Sequence, residues 1–183
     1  EGVVLTFSSG SGTATTNSAG YYSKTLTYGW SGRVTLAKTG YSFTPSYRDY
    51  GSLTSNLSNE NYTGSQENRT ISGYVRLSNG TGIEGVVLTF SSGSGTATTN
   101  SSGYYSKTLT YGWSGRATPA KTGYSFTPSY RDYGSLTSNL SNENYTGSQE
   151  NRTISGYVRL SNGTGIEGVV LTFSDGSGTA TTS

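Results

Sequence analysis

The side chains able to do chemistry are few and far apart. The stretch 84–166 holds four carboxylates, Glu84, Asp132, Glu143 and Glu150, and no loop in it brings two acids within four residues. Calcium prefers several acidic oxygens in one loop, and glycoside-type acid/base chemistry needs a matched carboxylate pair. Neither pattern is present. With no Cys and no His in the chain, there is no thiolate nucleophile, no imidazole base and no soft-metal cluster. The sequence therefore reads as non-enzymatic, with no catalytic residue, metal site or cofactor expected.

Three other residue sets invite a reading. Asn opens an Asn-x-Ser/Thr triplet at five of its six positions in 84–166, namely Asn100, Asn139, Asn144, Asn151 and Asn162. The preceding stretch adds Asn56, Asn61, Asn68 and Asn79. These nine are expected N-glycosylation acceptors in an organism with the machinery, although Asn and Ser/Thr also cluster in turns for conformational reasons. Trp30 and Trp113, each in a YGWSG stretch, read either as platforms for a sugar ring, as core plugs, or as pads between neighbouring modules. Tyr74 and Tyr157, on strand surfaces, join them as candidate module or chain interfaces. Finally, Lys107 and its counterpart Lys24 interrupt the apolar parity of Tyr105, Leu109 and Tyr111, as a stem snorkelling at an edge strand does.

The elements that carry these residues repeat. EGVVLTF begins at Glu1, Glu84 and Glu167, so the sequence has a period of 83, and the chain is two full periods, 1–83 and 84–166, followed by the opening of a third, 167–183. The two full periods differ only at Ala19/Ser102, Val34/Ala117 and Leu36/Pro119. Within each, apolar and polar residues alternate with period two. Strands are expected over Thr70–Leu77, Ile83–Phe90, Thr96–Thr99, Tyr104–Tyr111, Arg116–Lys121, Tyr124–Thr127, Tyr130–Leu136 and Asn144–Ser148. Asn79-Gly80 between the first two predicts a type I′ hairpin. Short strands separated by closely spaced turns make an all-β chain of tandem immunoglobulin-like or transthyretin-like β-sandwich modules. The expected division is 1–69, a module lacking its first strand; 70–152, a complete module; and 153–183, the first strands of a third.

ISGYVRLSNGTGIEGVVLTF, TATTNSSGYYSKTLTYGWSG and KTGYSFTPSYRDY together resemble the bacterial and archaeal surface modules of the carboxypeptidase-regulatory-like and collagen-adhesin B-type group. The resemblance implies a small β-sandwich serving as an extracellular spacer, stalk or adhesin module. In that group an inward Lys can join to an Asn or Asp with help from a buried carboxylate; here Asn144 and Glu84 are the candidates, but Lys107 is not in the module's first strand, where the family places it. The module of that group begins at the ISG strand, here Ile71 and Ile154. The frame of the chain thus suggests either a window on a longer array or a unit whose last strand completes the next molecule's first module. The repetition of the chain's opening over 167–183 favours the window.

A net charge of +2 offers no basic stripe for nucleic acid, and no apolar run approaches the roughly 18 residues of a membrane helix. The expected function is a structural repeat of an extracellular fibre, filament or adhesin stalk at the cell surface, with neighbouring modules and identical chains as partners. If modules stack end to end, strands of about 3.3 Å per residue plus loops give roughly 35–45 Å per module. The alternative is a repeated carbohydrate- or protein-binding module that gains avidity through its Tyr and Trp surfaces.

Overall fold

The computed structural model describes all 183 residues, and every regular element is a strand. In chain order they are β1 (Val4–Phe7), β2 (Thr13–Thr15), β3 (Gly32–Ala37), β4 (Tyr41–Thr44), β5 (Tyr47–Tyr50), β6 (Thr63–Gln66), β7 (Asn68–Arg76) and β8 (Val87–Phe90). Then come β9 (Thr96–Thr98), β10 (Tyr104–Thr110), β11 (Gly115–Ala120), β12 (Tyr124–Thr127), β13 (Arg131–Tyr133), β14 (Tyr145–Gln149), β15 (Val170–Thr172) and β16 (Thr179–Thr181). Two compact units divide the chain, Glu1–Gln149 and Glu150–Ser183.

Within the first unit, residues 68–149 form a complete sandwich of two four-stranded sheets, β10-β7-β14-β12 and β13-β11-β8-β9. Alternation dictates the layers, because successive side chains on a strand face opposite sides. Leu88 and Phe90 of β8 and Ala117 of β11 point inward from one sheet; Ile71 and Val75 of β7, Tyr105 and Leu109 of β10 and Tyr145 of β14 point inward from the other. β7 is the keystone of its sheet. It pairs antiparallel with β10 over seven residues, from Tyr104↔Tyr74 to Thr110↔Asn68, and parallel with β14 at Tyr145↔Val75 and Thr146↔Arg76.

The same sequence without that keystone behaves differently. In residues 1–66 the sheet β2-β1-β3-β5 forms around Leu5, Phe7 and Val34, and β4 pairs with β6. Tyr21–Thr27, identical to β10 in sequence, forms no strand, because no counterpart of β7 lies beside it. Tyr105 is 1% exposed, whereas its copy Tyr22 is only half-buried. Fully burying an Ile or Val side chain contributes about 1.5–3 kcal/mol, so Ile71 and Val75 alone account for much of the difference between a closed and a half-open module.

The second unit, Glu150–Ser183, contains the β15–β16 hairpin, with register Val170↔Thr181 to Thr172↔Thr179. Its segment 151–158 forms no regular element, and Ile154 and Tyr157 are each 84% exposed.

One local expectation holds for the pairing but not for the turn type. Asn79-Gly80 does not make a type I′ hairpin: Gly80 has φ +89°, but Asn79 is not among the residues of positive φ. Instead Asn79 Oδ1 accepts a hydrogen bond from Thr81 N (3.0 Å), and the chain crosses from β7 in one sheet to β8 in the other. A short hairpin still forms with a different turn: Leu77 N donates to Thr81 O (2.8 Å), Gly80 N to Leu77 O (2.9 Å) and Ile83 N to Val75 O (3.0 Å), with an antiparallel bridge at Arg76↔Gly82.

Candidate functional site

Two arrangements in the first unit are built from many residues each: the contact between successive modules, and the seat of β7.

The contact centres on Tyr111, at the end of β10. Its ring lies so close to Gly40, in the turn between β3 and β4, that a Cβ on Gly40 would collide with it, and Gly40 has φ +78°. Only glycine meets both demands comfortably. Tyr111 N donates to Glu67 O (2.8 Å), Glu67 N donates to Gly40 O (2.7 Å), and Gln66 Nε2 donates to Tyr111 O (3.2 Å). Arg69 covers the ring at 5.0 Å from its centroid and is itself aimed by Glu67 Oε2 (2.6 Å) and Thr137 O (3.0 Å). The residue types of this junction recur along the chain. Tyr28, the copy of Tyr111, is 83% exposed; Gly123, the copy of Gly40, has open space around it; and Arg152 pairs with Glu150 as Arg69 pairs with Glu67.

The seat of β7 has a wall made by residues 139–144. Asn139 Oδ1 accepts from Thr70 N (2.9 Å) and Asn144 Oδ1 from Tyr74 N (2.8 Å). Between them Ser72 N donates to Leu140 O (2.9 Å), Leu140 N to Thr70 O (2.8 Å) and Glu143 N to Ser72 O (3.1 Å). Gly73 faces this wall directly: a Cβ there would stand 2.5 Å from Glu143 O and 2.6 Å from its carbonyl carbon. Tyrosines hold the wall in place. Tyr105 OH donates to Glu143 O (2.5 Å), Tyr133 OH to Glu143 Oε2 (3.1 Å) and Arg131 Nη2 to Asn144 O (2.8 Å). Burial pushes the Tyr105 and Tyr133 hydroxyls above their ordinary range and raises Tyr145 to about 12, so these phenols stay protonated donors.

The remaining sequence-derived candidates fall as follows. All nine triplet Asn residues are exposed, and five use the side-chain oxygen on backbone: Asn139 and Asn144 as above, and Asn79, Asn100 and Asn162 within turns. Trp113 packs on Phe90 and Tyr133 of its own module, and Trp30 on Phe7 and Tyr50 of its own. Both indole nitrogens are buried. The YGWSG turn folds each indole back over its own sheet, and Tyr111 makes the contact between the two modules. Tyr74 lies edge-on to Tyr104 at 5.3 Å, with Arg76 at 3.9 Å over its ring, and Tyr157 carries Arg159 at 4.0 Å. Lys107 Nζ reaches Thr96 O (3.4 Å) at the sheet edge, and Asn144, its candidate crosslink partner, is occupied by Tyr74 N. Among the aromatic–cation pairs the shortest is Arg116, 3.6 Å over Tyr130 and bidentate to Asp132 (2.7 and 2.9 Å).

No protein-family model matches the chain. Chitinase ChiA of Flavobacterium johnsoniae is 40% identical over 153 residues, a stretch covering 81% of this chain and 9% of the chitinase. Among solved structures, the Bacillus anthracis TIE protein superposes with a TM-score of 0.65 at 14% identity, over 81% of this chain and 31% of that one. Likeness at that level is one of fold, and it agrees with a β-sandwich architecture.

Tyr111, Gly40 and Gly73 carry the two arrangements, and none stood out in the sequence. A signal existed for one of them. Gly73 lies inside a strand pattern, where glycine often marks close approach of another backbone.

Proposed function

We propose that the chain is a structural repeat of an extracellular fibre, filament or adhesin stalk, not an enzyme, in which repetition sets length at the cell surface. The observation that carries this reading is the Tyr111–Gly40 contact with its Arg69, Glu67 and Gln66 bonds, whose residues recur with the sequence repeat. A junction that uses the same residues at each step propagates one geometry along the array, as nearest-neighbour contacts do in repeat proteins. The resemblance of ISGYVR and KTGYSFTPSYRDY to surface modules of the carboxypeptidase-regulatory-like and collagen-adhesin B-type group supports the same placement. Electron microscopy of chains with two, four and eight repeats tests it. Rods that lengthen by a constant increment, about 35–45 Å per added repeat, are expected; collapsed or randomly jointed particles would count against it.

A second reading is favoured by the chitinase relative: a repeated module that binds carbohydrate. The buried indole nitrogens shift its candidate platforms from tryptophan to exposed tyrosine, with Tyr130 under Arg116 and Tyr74 beside Tyr104. Sedimentation of the chain with insoluble chitin, abolished by Tyr130→Ala together with Tyr47→Ala, would promote this reading over the first.

A further inference from the structure

The chain enters the complete module at Asn68, the first residue of β7, and leaves it at Gln149, the last of β14. These two strands run parallel and side by side, with Ile71 opposite Leu140, Val75 opposite Tyr145 and Arg76 opposite Thr146. Entry and exit therefore lie at opposite poles of one strand pair, about 35–40 Å apart at 3.3 Å per residue. A pull along the chain draws β7 toward one pole and β14 toward the other. The bonds between them are then loaded in shear and must stretch together, whereas a pull across the pair opens them one at a time. Five bonds of 2.8–3.1 Å lie in a row along this boundary: Thr70 N to Asn139 Oδ1, Leu140 N to Thr70 O, Ser72 N to Leu140 O, Glu143 N to Ser72 O and Tyr74 N to Asn144 Oδ1.

The boundary also has a stop. From Ile71 to Val75 β7 advances four residues while its neighbour advances five, from Leu140 to Tyr145, and the extra residue is taken up beside Asn142, whose φ is +63°. A bulge of this kind pins the register. Gly73 faces Glu143 with no room for a Cβ, which would stand 2.5 Å from Glu143 O, and Tyr105, its partner in register, reaches past it to donate to the same oxygen (2.5 Å). Sliding that keeps the core face inward moves a strand by two residues. Drawn toward its entry pole, β7 would bring Val75 into the place of Gly73, and the Cβ of Val75 would run into Glu143 O. From this geometry we infer that the module is a mechanical clamp, in which β7, the wall and β14 resist tension along the chain far better than tension across it. The inference deepens the stalk reading and rests on it for the source of the tension.

The chain has no Cys, so pairs of introduced thiols select the direction of pull in single-molecule force spectroscopy of the full chain. Asn68→Cys with Gln149→Cys loads the clamp in shear. Asn68→Cys with Ser138→Cys, both at the entry pole, peels β7 from the wall; all three positions are exposed. At one pulling speed the shear pair is expected to rupture at a force severalfold above that of the peel pair, in a single event that lengthens the chain by roughly 230–250 Å. Asn139→Ala together with Asn144→Ala leaves three of the five bonds and is expected to lower the shear force by about two fifths, if the bonds share the load equally. Asn100→Ala removes turn bonds to Ser102 N (3.1 Å) and Tyr104 N (3.0 Å), away from the clamp, and is expected to leave the shear force unchanged. Should the double variant fail to fold, the ratio of shear to peel force in the parent decides alone. Equal forces in the two directions, or a shear force that falls as far with Asn100→Ala as with the double variant, would overturn the inference, while rods that lengthen with each repeat would still leave the stalk reading standing.

Discussion

Gly73→Ala puts one methyl group between two backbones. The new Cβ would lie 2.5 Å from Glu143 O, 2.6 Å from its carbonyl carbon and 3.0 Å from its nitrogen, where ordinary contact begins near 3.4 Å. Either β7 or the wall must retreat by about 0.9 Å, the difference between 3.4 and 2.5. Overpacking of this kind costs about 1–3 kcal/mol. The retreat also stretches the Ser72, Leu140 and Tyr74 hydrogen bonds, each worth about 1 kcal/mol, so a loss of about 3 kcal/mol is expected. For a module of this size each kcal/mol moves the melting temperature roughly 4–8 °C, giving a fall on the order of 10–25 °C for the complete module. Trp113 reports on that module alone in a Trp30→Phe background, so its fluorescence follows the transition. Gly156→Ala, the same change one period later, meets no atom within 4 Å and is expected to leave the transition where it was. Equal effects at the two positions, or a Gly73→Ala variant that melts with the parent, would refute the account of the seat.

Other expectations follow from the same contacts. Burial raises Tyr145 and Tyr22 to about 12 and pushes Tyr50, Tyr105 and Tyr133 upward as well. A raised pKa means that the folded state keeps its proton where the unfolded chain releases it. Stability from these phenols is therefore full below pH 10 and is lost as pH climbs through about 12. Tyrosinate absorbance followed beside circular dichroism should show a late group of tyrosines that ionises together with unfolding; ionisation of all tyrosines in one early step would contradict it. Asn144→Ala removes the acceptor for Tyr74 N and is expected to cost about 1 kcal/mol in denaturant unfolding. Asn61→Ala, in the half-open first module, is expected to cost far less.

Much of the fold was readable from alternation. The alternating burial of β8 and the inward parity of Ile71, Val75, Tyr105 and Leu109 follow the apolar residues. Long-range closure was not readable. Asn79-Gly80 does turn the chain back, pairing 75–77 with 81–83, but that local signal does not tell that β8 goes on to pair with β9 and β11 in the other sheet. Burial was also beyond a single copy of the pattern, since Ile71 is fully buried and Ile154 is 84% exposed in identical sequence. What separates them is the presence of a seat, a property of residues some seventy positions away. The Asn triplets illustrate the same limit. Two of them, Asn139 and Asn144, prove to be clamps on β7, and only the positions of their hydrogen-bond partners could reveal that role. Tyr111 sits at a strand end where any surface tyrosine would look alike; its meaning comes from Gly40, in the preceding module.

The junction is the heart of the account, and the absence of cysteine makes it directly measurable. Spin labels at Ser11→Cys in the first module and Ser135→Cys in the second would report one intermodule distance by double electron–electron resonance. A single narrow distribution in the parent, broadened by Tyr111→Ala while both modules stay folded, is the expected result. A parent distribution already as broad as that of the variant would show that the modules are loosely tethered, and would contradict the reading of this chain as a built array.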